Sequence, residues 1–196
     1  MLTAHITFSV GWLGAVAVFL AHSIAGLTSE DTMIVRTAYL AMNLSAWIII
    51  LPACMGGLLT GIFQSISTQW GLFKYYWIVV KLLLTIGATI LLIVHMQPIS
   101  FMARTVLQGP LTGTEHRGLQ VQLVVDAALA LIVLLATTTI SVYKPWGMTS
   151  YGASKLRKKM PHQASKSKGL YVIIGLIILA ILFAIIHLKG GGLHSH

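Results

Sequence analysis

Five stretches of the chain, at about 4–27, 38–66, 75–97, 119–143 and 169–188, stay apolar for the ~20 residues that a helix rising 1.5 Å per residue needs to cross a hydrocarbon layer. A backbone in lipid must satisfy its own hydrogen bonds, so runs of this length without alternating polarity read as helices. The spacing predicts an all-α fold: an integral membrane bundle of five transmembrane helices, forming a single domain over 1–196. The intervening segments 28–36, 67–74, 98–118 and 144–168 are rich in Gly, Pro, Ser, Thr or charge, as loops are. Only 9% of the residues are charged against ~25% in soluble domains, which excludes an ordinary soluble fold. The first run is long for a signal sequence and has no basic flank before it, so it is expected to be a mature helix.

Charge then gives the orientation. Lys and Arg number 13 against 4 Asp and Glu, and Lys144, Lys155, Arg157, Lys158, Lys159, Lys166 and Lys168 share one loop that contains no acid. Short loops of this kind stay on the cytoplasmic side. The N-terminus is therefore expected in the cytoplasm and the tail 190–196 outside, with Glu30, Asp31 and Glu115 in outer loops. Orientation and contact with anionic headgroups account for the basic loop, and no nucleic-acid partner is required.

The single cysteine, Cys54, lies in an apolar run and excludes an internal disulfide or a CxxC site. Phosphate-binding glycine loops, HExxH and GxSxG are also missing from the sequence. Gly56, Gly57 and Gly61 in the second run offer small residues that let another helix approach, within the chain or in a homo-oligomer, and Pro52 is expected to bend that helix. Trp70, Tyr75, Tyr76 and Trp77 gather at the inner start of the third run, where they suit an aromatic belt or a quinone site.

Polar groups inside spans are costly and mark candidate sites. Counted from the expected helix ends, His22, His95, Asp126 and His187 fall on four different helices in one outer layer, with Asn43 nearby and His116, His194 and His196 in adjoining segments. Imidazoles with a carboxylate suit zinc or copper, and two imidazoles on facing helices suit a haem. Asp126 shares a helix face with Gln122 and Thr137; it fits a metal shell, a proton-transfer group or a structural acid. Lys81 is fourteen residues from His95 on one face, ~21 Å along the axis, and either snorkels to the inner surface or meets an anionic group such as a haem propionate. Met96 and the neighbouring methionines Met33 and Met102 carry the copper alternative.

At Gly11-Trp12-Leu13-Gly14-Ala15-Val16, Trp70-Gly71-Leu72-Phe73-Lys74-Tyr75-Tyr76-Trp77 with Val79-Val80-Lys81, Leu92-Ile93-Val94-His95-Met96 and Val142-Tyr143-Lys144-Pro145-Trp146-Gly147-Met148-Thr149, the chain resembles a family of small bacterial integral membrane proteins of unknown function. The likeness covers nearly the whole chain and implies a bacterial cytoplasmic membrane. In layout the chain is also distantly similar to the copper-resistance CopD membrane domain and to four-helix b-type cytochromes of the b561 kind. The family resemblance implies roles for His95 and for His187 before the glycine-rich tail, but Asp126 stands where relatives carry a histidine, which leaves His22 as the substitute ligand.

Three readings follow. The first is a haem b protein for electron transfer or redox sensing, its cofactor held by His22, His95, His187, Asp126 and Lys81 and its partner an unidentified redox protein or quinone. The second uses His95, His187, His22 and Asp126 to bind or transport copper or zinc. The third is a structural membrane subunit without cofactor. No nucleophile-and-base arrangement stands out, so enzymatic activity is left open.

Overall fold

The computed structural model describes residues 1–68, 71–109, 111, 114–144 and 147–157. These form α1 (Leu2–Thr28), α2 (Thr32–Ser45), a π-helical segment (Ala46–Ile50), α3 (Leu51–Ser67), α4 (Tyr76–Gln108), α5 (Thr114–Tyr143) and the short α6 (Ser150–Arg157). Four helices, with α2, the π segment and α3 counted as one, are long and apolar enough to cross a membrane. Fewer than a third of the residues in each one's most apolar stretch are buried. Ile48, Leu59, Ile90 and Ile132 instead turn outward, each at least 57% exposed, as side chains facing lipid do. The chain is a multi-pass, all-helical membrane protein. The expected fifth span at 169–188, with His187, His194 and His196 and most of the basic loop, lies outside the described residues.

Three helix boundaries differ from the sequence expectation by five residues or more. The second span begins at Thr32 rather than 38 because Asp31 caps it, its carboxylate accepting from the Met33 N–H at 2.8 Å. The third span does not stop at 97. It passes through Pro98 to Gln108, since Ile99, Met102, Ala103 and Val106 continue a buried stripe at helical spacing that outweighs the one backbone bond Pro98 cannot make. With α5 starting at Thr114, the expected loop 98–118 contracts to residues 109–113.

Two compact units can be distinguished. The first comprises 1–64 and 84–139. Its core draws on all four described spans: Trp12, Val16 and Phe19 from α1, Tyr39, Met42 and Ile50 from the second span, Met96 and Met102 from α4, Leu123 and Leu134 from α5. The small residues of α3 serve this packing. A side chain at Gly56 would meet the Phe8 ring at 2.6 Å, and one at Gly61 would meet the His5 ring at 3.0 Å, so both glycines are spent on contact with α1. The π segment precedes Pro52, with the Leu51 N–H reaching back five residues to the Ala46 carbonyl. That wider turn absorbs the interruption expected of Pro52.

The second unit comprises 65–83 and 140–196, described as far as 157. Its hydrogen bonds tie two connections together. Thr149 N–H donates to the Lys74 carbonyl at 2.9 Å and its hydroxyl donates to the Phe73 carbonyl, while that same oxygen accepts from the Gly152 N–H at 3.0 Å, capping α6. Gly152 packs against the Lys74 carbonyl so closely that no Cβ fits. Lys144, just past α5, takes a left-handed φ of +44°, which usually falls to glycine at a helix end.

Candidate functional site

His95 lies 11 residues after Leu84 and 13 before Gln108, at the middle of the first unit's share of α4. Asp126 lies 12 residues after Thr114 and 13 before Thr139, at the middle of its share of α5. From the helix ends themselves, His95 is 19 residues after Tyr76 and 13 before Gln108, and Asp126 is 12 after Thr114 and 17 before Tyr143, so each is ~18–20 Å of helix from the nearer end. The sequence expectation took Pro98 as the end of the helix and so counted His95 two residues from it, whereas α4 runs on to Gln108.

At that depth the two side chains meet. His95 Nε2 is 2.7 Å from Asp126 Oδ2, and both residues are buried. On the other side of the ring Nδ1 is 2.7 Å from the Leu91 carbonyl, one turn back on the same helix. A carbonyl only accepts, so Nδ1 carries a hydrogen. The 2.7 Å contact at Nε2 then needs a second hydrogen between nitrogen and oxygen, carried either as imidazolium with carboxylate or as imidazole with carboxylic acid. Both arrangements sum to zero charge. That sum is what permits two titratable groups in a medium where an isolated charge would be prohibitive. Gln122, one turn before Asp126 on α5, brings its amide to 3.5 Å from His95 Nε2.

His95 and Asp126 contribute to the wall of a cavity of about 60 Å3 whose surface is almost wholly apolar. The walls are Trp12 and Phe19 of α1, Ile50 of the π segment, and the small side chains Ala88 and Ala130, with His95 and Asp126 the two titratable residues in the lining. On α1, Trp12 and Phe19 are seven residues apart, two turns on one face. The alanines leave the space. Ile50 is the last residue of the π segment, whose extra residue per turn resets the face that the second span shows to α1.

The other residues singled out from the sequence go elsewhere. His22 does not line the cavity, and its Nδ1 turns to the Val18 carbonyl of its own helix at 2.9 Å. Lys81 belongs to the second unit. Asn43 accepts from Ser100 at 2.8 Å, and that hydroxyl in turn accepts from the Trp47 indole at 3.1 Å, a lateral link between the second span and α4. His5 Nδ1 lies 3.2 Å from both the Gly57 carbonyl and the Thr60 hydroxyl. Cys54 is buried beside Thr89, 3.1 Å from its hydroxyl. Among the described residues no three His, Cys, Asp or Glu side chains converge as a metal shell would require. Of the sequence candidates, the described residues bring together His95 and Asp126 alone.

Trp12 and Phe19 are wall residues that sequence reasoning did not assign to a site. Their signal was present in the helical spacing of large aromatics on α1, the same signal that ordinary core packing gives. Fold and site define a helical membrane protein with a buried polar pair between two of its long apolar helices. No family model, curated protein or solved structure matches the chain.

Proposed function

We propose that this is a proton-exchanging membrane protein, in which the His95–Asp126 pair takes up and gives up one proton inside the helical core. The observation that carries the reading is the 2.7 Å contact between Nε2 and Oδ2 of two buried side chains whose remaining imidazole hydrogen is committed to Leu91. Ionisable groups at such depth are costly to keep, and proton relays are a common reason to keep them. Gln122 adds an amide able to follow either proton position. The wider assignment is a five-span protein of the bacterial cytoplasmic membrane, N-terminus inside and tail outside, resting on the acid-free basic loop. A cysteine introduced at Ser165 should then resist an impermeant thiol reagent in intact cells.

The test is difference infrared spectroscopy of the purified chain in lipid nanodiscs during a pH titration. A carboxyl signal and an imidazole signal should change together as one event, and Asp126→Asn and His95→Ala should each abolish it. Persistence of the signal in either variant would overturn the reading. An optical spectrum and metal analysis of the same sample probe the rival chemistry: a haem absorption band lost in His95→Ala, or stoichiometric copper or zinc lost in it, would replace proton exchange with cofactor binding at Nε2.

A further inference from the structure

We infer that the outward-facing seam between the second span and α4 holds the headgroup phosphate of an anionic phospholipid, with the Arg104 guanidinium as its anchor. The seam uses neither His95 nor Asp126 and is independent of proton exchange.

A chain of bonds builds it. The Trp47 indole N–H donates to the Ser100 hydroxyl at 3.1 Å, and that hydroxyl donates to Asn43 Oδ1 at 2.8 Å. Asn43 and Trp47, one turn apart, share a face of the second span. Ser100 also offers its carbonyl, and the Arg104 Nε–H, one turn further along α4, donates to it at 3.3 Å. Four residues from two helices are thereby held at one place. The seam is not covered: Trp47 is 50% exposed and Arg104 is exposed, as are the apolar side chains of Ile48 and Phe101, next in sequence to Trp47 and Ser100.

Arg104 decides what can lie there. It stands four residues before the end of α4 at Gln108, ~6 Å of helix. An arginine near the end of a span ordinarily reaches outward to water, but the bond to Ser100 turns this one back toward the body of the span. A helix of 33 residues is ~50 Å long against ~30 Å of hydrocarbon. Shared between its ends, the excess of ~10 Å at each puts Ser100 near the edge of the hydrocarbon and Arg104 in the headgroup layer. The guanidinium is always charged, and Nε uses one of its five N–H groups, leaving four on the two terminal nitrogens. Among the described residues no acidic side chain is ion-paired with it. Its planar fork matches two oxygens of one phosphate, and the headgroup layer supplies phosphates.

Charge then selects among lipids. One guanidinium and one phosphate sum to zero, whereas a zwitterionic headgroup brings a second cation, for which Asn43, Trp47, Ser100 and Arg104 offer no carboxylate. A headgroup ending in an uncharged alcohol, as in phosphatidylglycerol, leaves no charge over. Trp47, its N–H tied to Ser100, keeps a half-exposed ring in a fixed place beside the glycerol and the first methylenes of such a lipid.

The experiment reconstitutes the full chain in nanodiscs of equal parts phosphatidylglycerol and phosphatidylcholine, transfers it to mild detergent and counts the lipids that stay bound by native mass spectrometry. The expected result is one phosphatidylglycerol retained in preference to phosphatidylcholine. Retention should fall roughly fivefold in Arg104→Gln, the effect of one arginine at an anionic surface. It should be unchanged in Arg36→Gln, which removes the same charge from an exposed position two turns before Asn43. Both side chains are exposed, so each variant should elute as the folded parent does. Excess glycerol phosphate in the buffer should leave the lipid in place. Equal retention of the two lipids, retention that survives Arg104→Gln, or an equal loss in Arg36→Gln would each overturn the inference. Displacement by glycerol phosphate would assign the seam to a soluble phosphate and overturn the lipid.

Discussion

The two compact units handle polar groups in opposite ways. In the first, His95 and Asp126 meet side chain to side chain across two helices, in a core where neither has water to fall back on. In the second, Thr149 bonds main-chain groups on both sides of a junction, beside the exposed side chains of Phe73, Tyr143 and Tyr151. The first arrangement is energetically conditional: each partner is tolerable only because of the other. The second is additive, since the loss of one bond leaves groups that solvent can reach. Burial decides how steeply a single substitution is felt.

The largest effect should come from splitting the buried His95–Asp126 pair. His95→Leu or Asp126→Leu alone should destabilise the detergent-solubilised chain by ~3–5 kcal/mol, because an orphaned titratable group remains in the core. The double variant should recover most of that loss, since two apolar side chains need no partner. Unfolding of all four proteins by denaturant gives the coupling directly, and additive losses would remove the contrast between the units.

A smaller effect is expected at Gly152. A methyl group there meets the Lys74 carbonyl, main chain that cannot rotate aside, so Gly152→Ala should cost ~1–3 kcal/mol. The damage should be local: limited proteolysis should speed up around 144–157 while the infrared signal of the His95–Asp126 pair stays as in the parent. Equal loss of that signal would mean that the two regions do not behave independently.

The smallest effect should have the opposite sign. Lys144→Gly relieves a left-handed backbone conformation at the end of α5, and should raise stability by up to ~1 kcal/mol, visible as a slightly higher unfolding temperature. An unchanged or lower value would assign the lysine side chain a compensating role.

The four described spans were legible because ~20 consecutive apolar residues, in a chain this poor in charge, match the thickness of a hydrocarbon layer and exceed what a small soluble core can bury. Their ends were less so. Pro98 has the chemistry of a terminator, and only the buried spacing of Ile99, Met102, Ala103 and Val106 beyond it marks a helix that continues. The π segment was not legible, since Ala46–Ile50 carries no residue type that distinguishes a five-residue hydrogen-bond step from an ordinary turn. Nor was the Thr149–Lys74 junction, which joins residues 75 apart through main-chain atoms that any sequence supplies. For the site, His95 and Asp126 stood out as costly residues, but their depth depended on where α4 ended. His22 looked equivalent from its own helix and was separated only by the face it occupies.

The position of the pair inside long apolar helices has an electrical consequence. A unit charge crossing a whole membrane gains or loses ~2.3 kcal/mol per 100 mV, and one that stops part of the way experiences part of it. The neutral pair itself is indifferent to the field. Any ion arriving at or leaving Asp126 from one surface alone is not, so voltage acts on how often the site is filled from each side, even where ion concentrations on the two sides are equal.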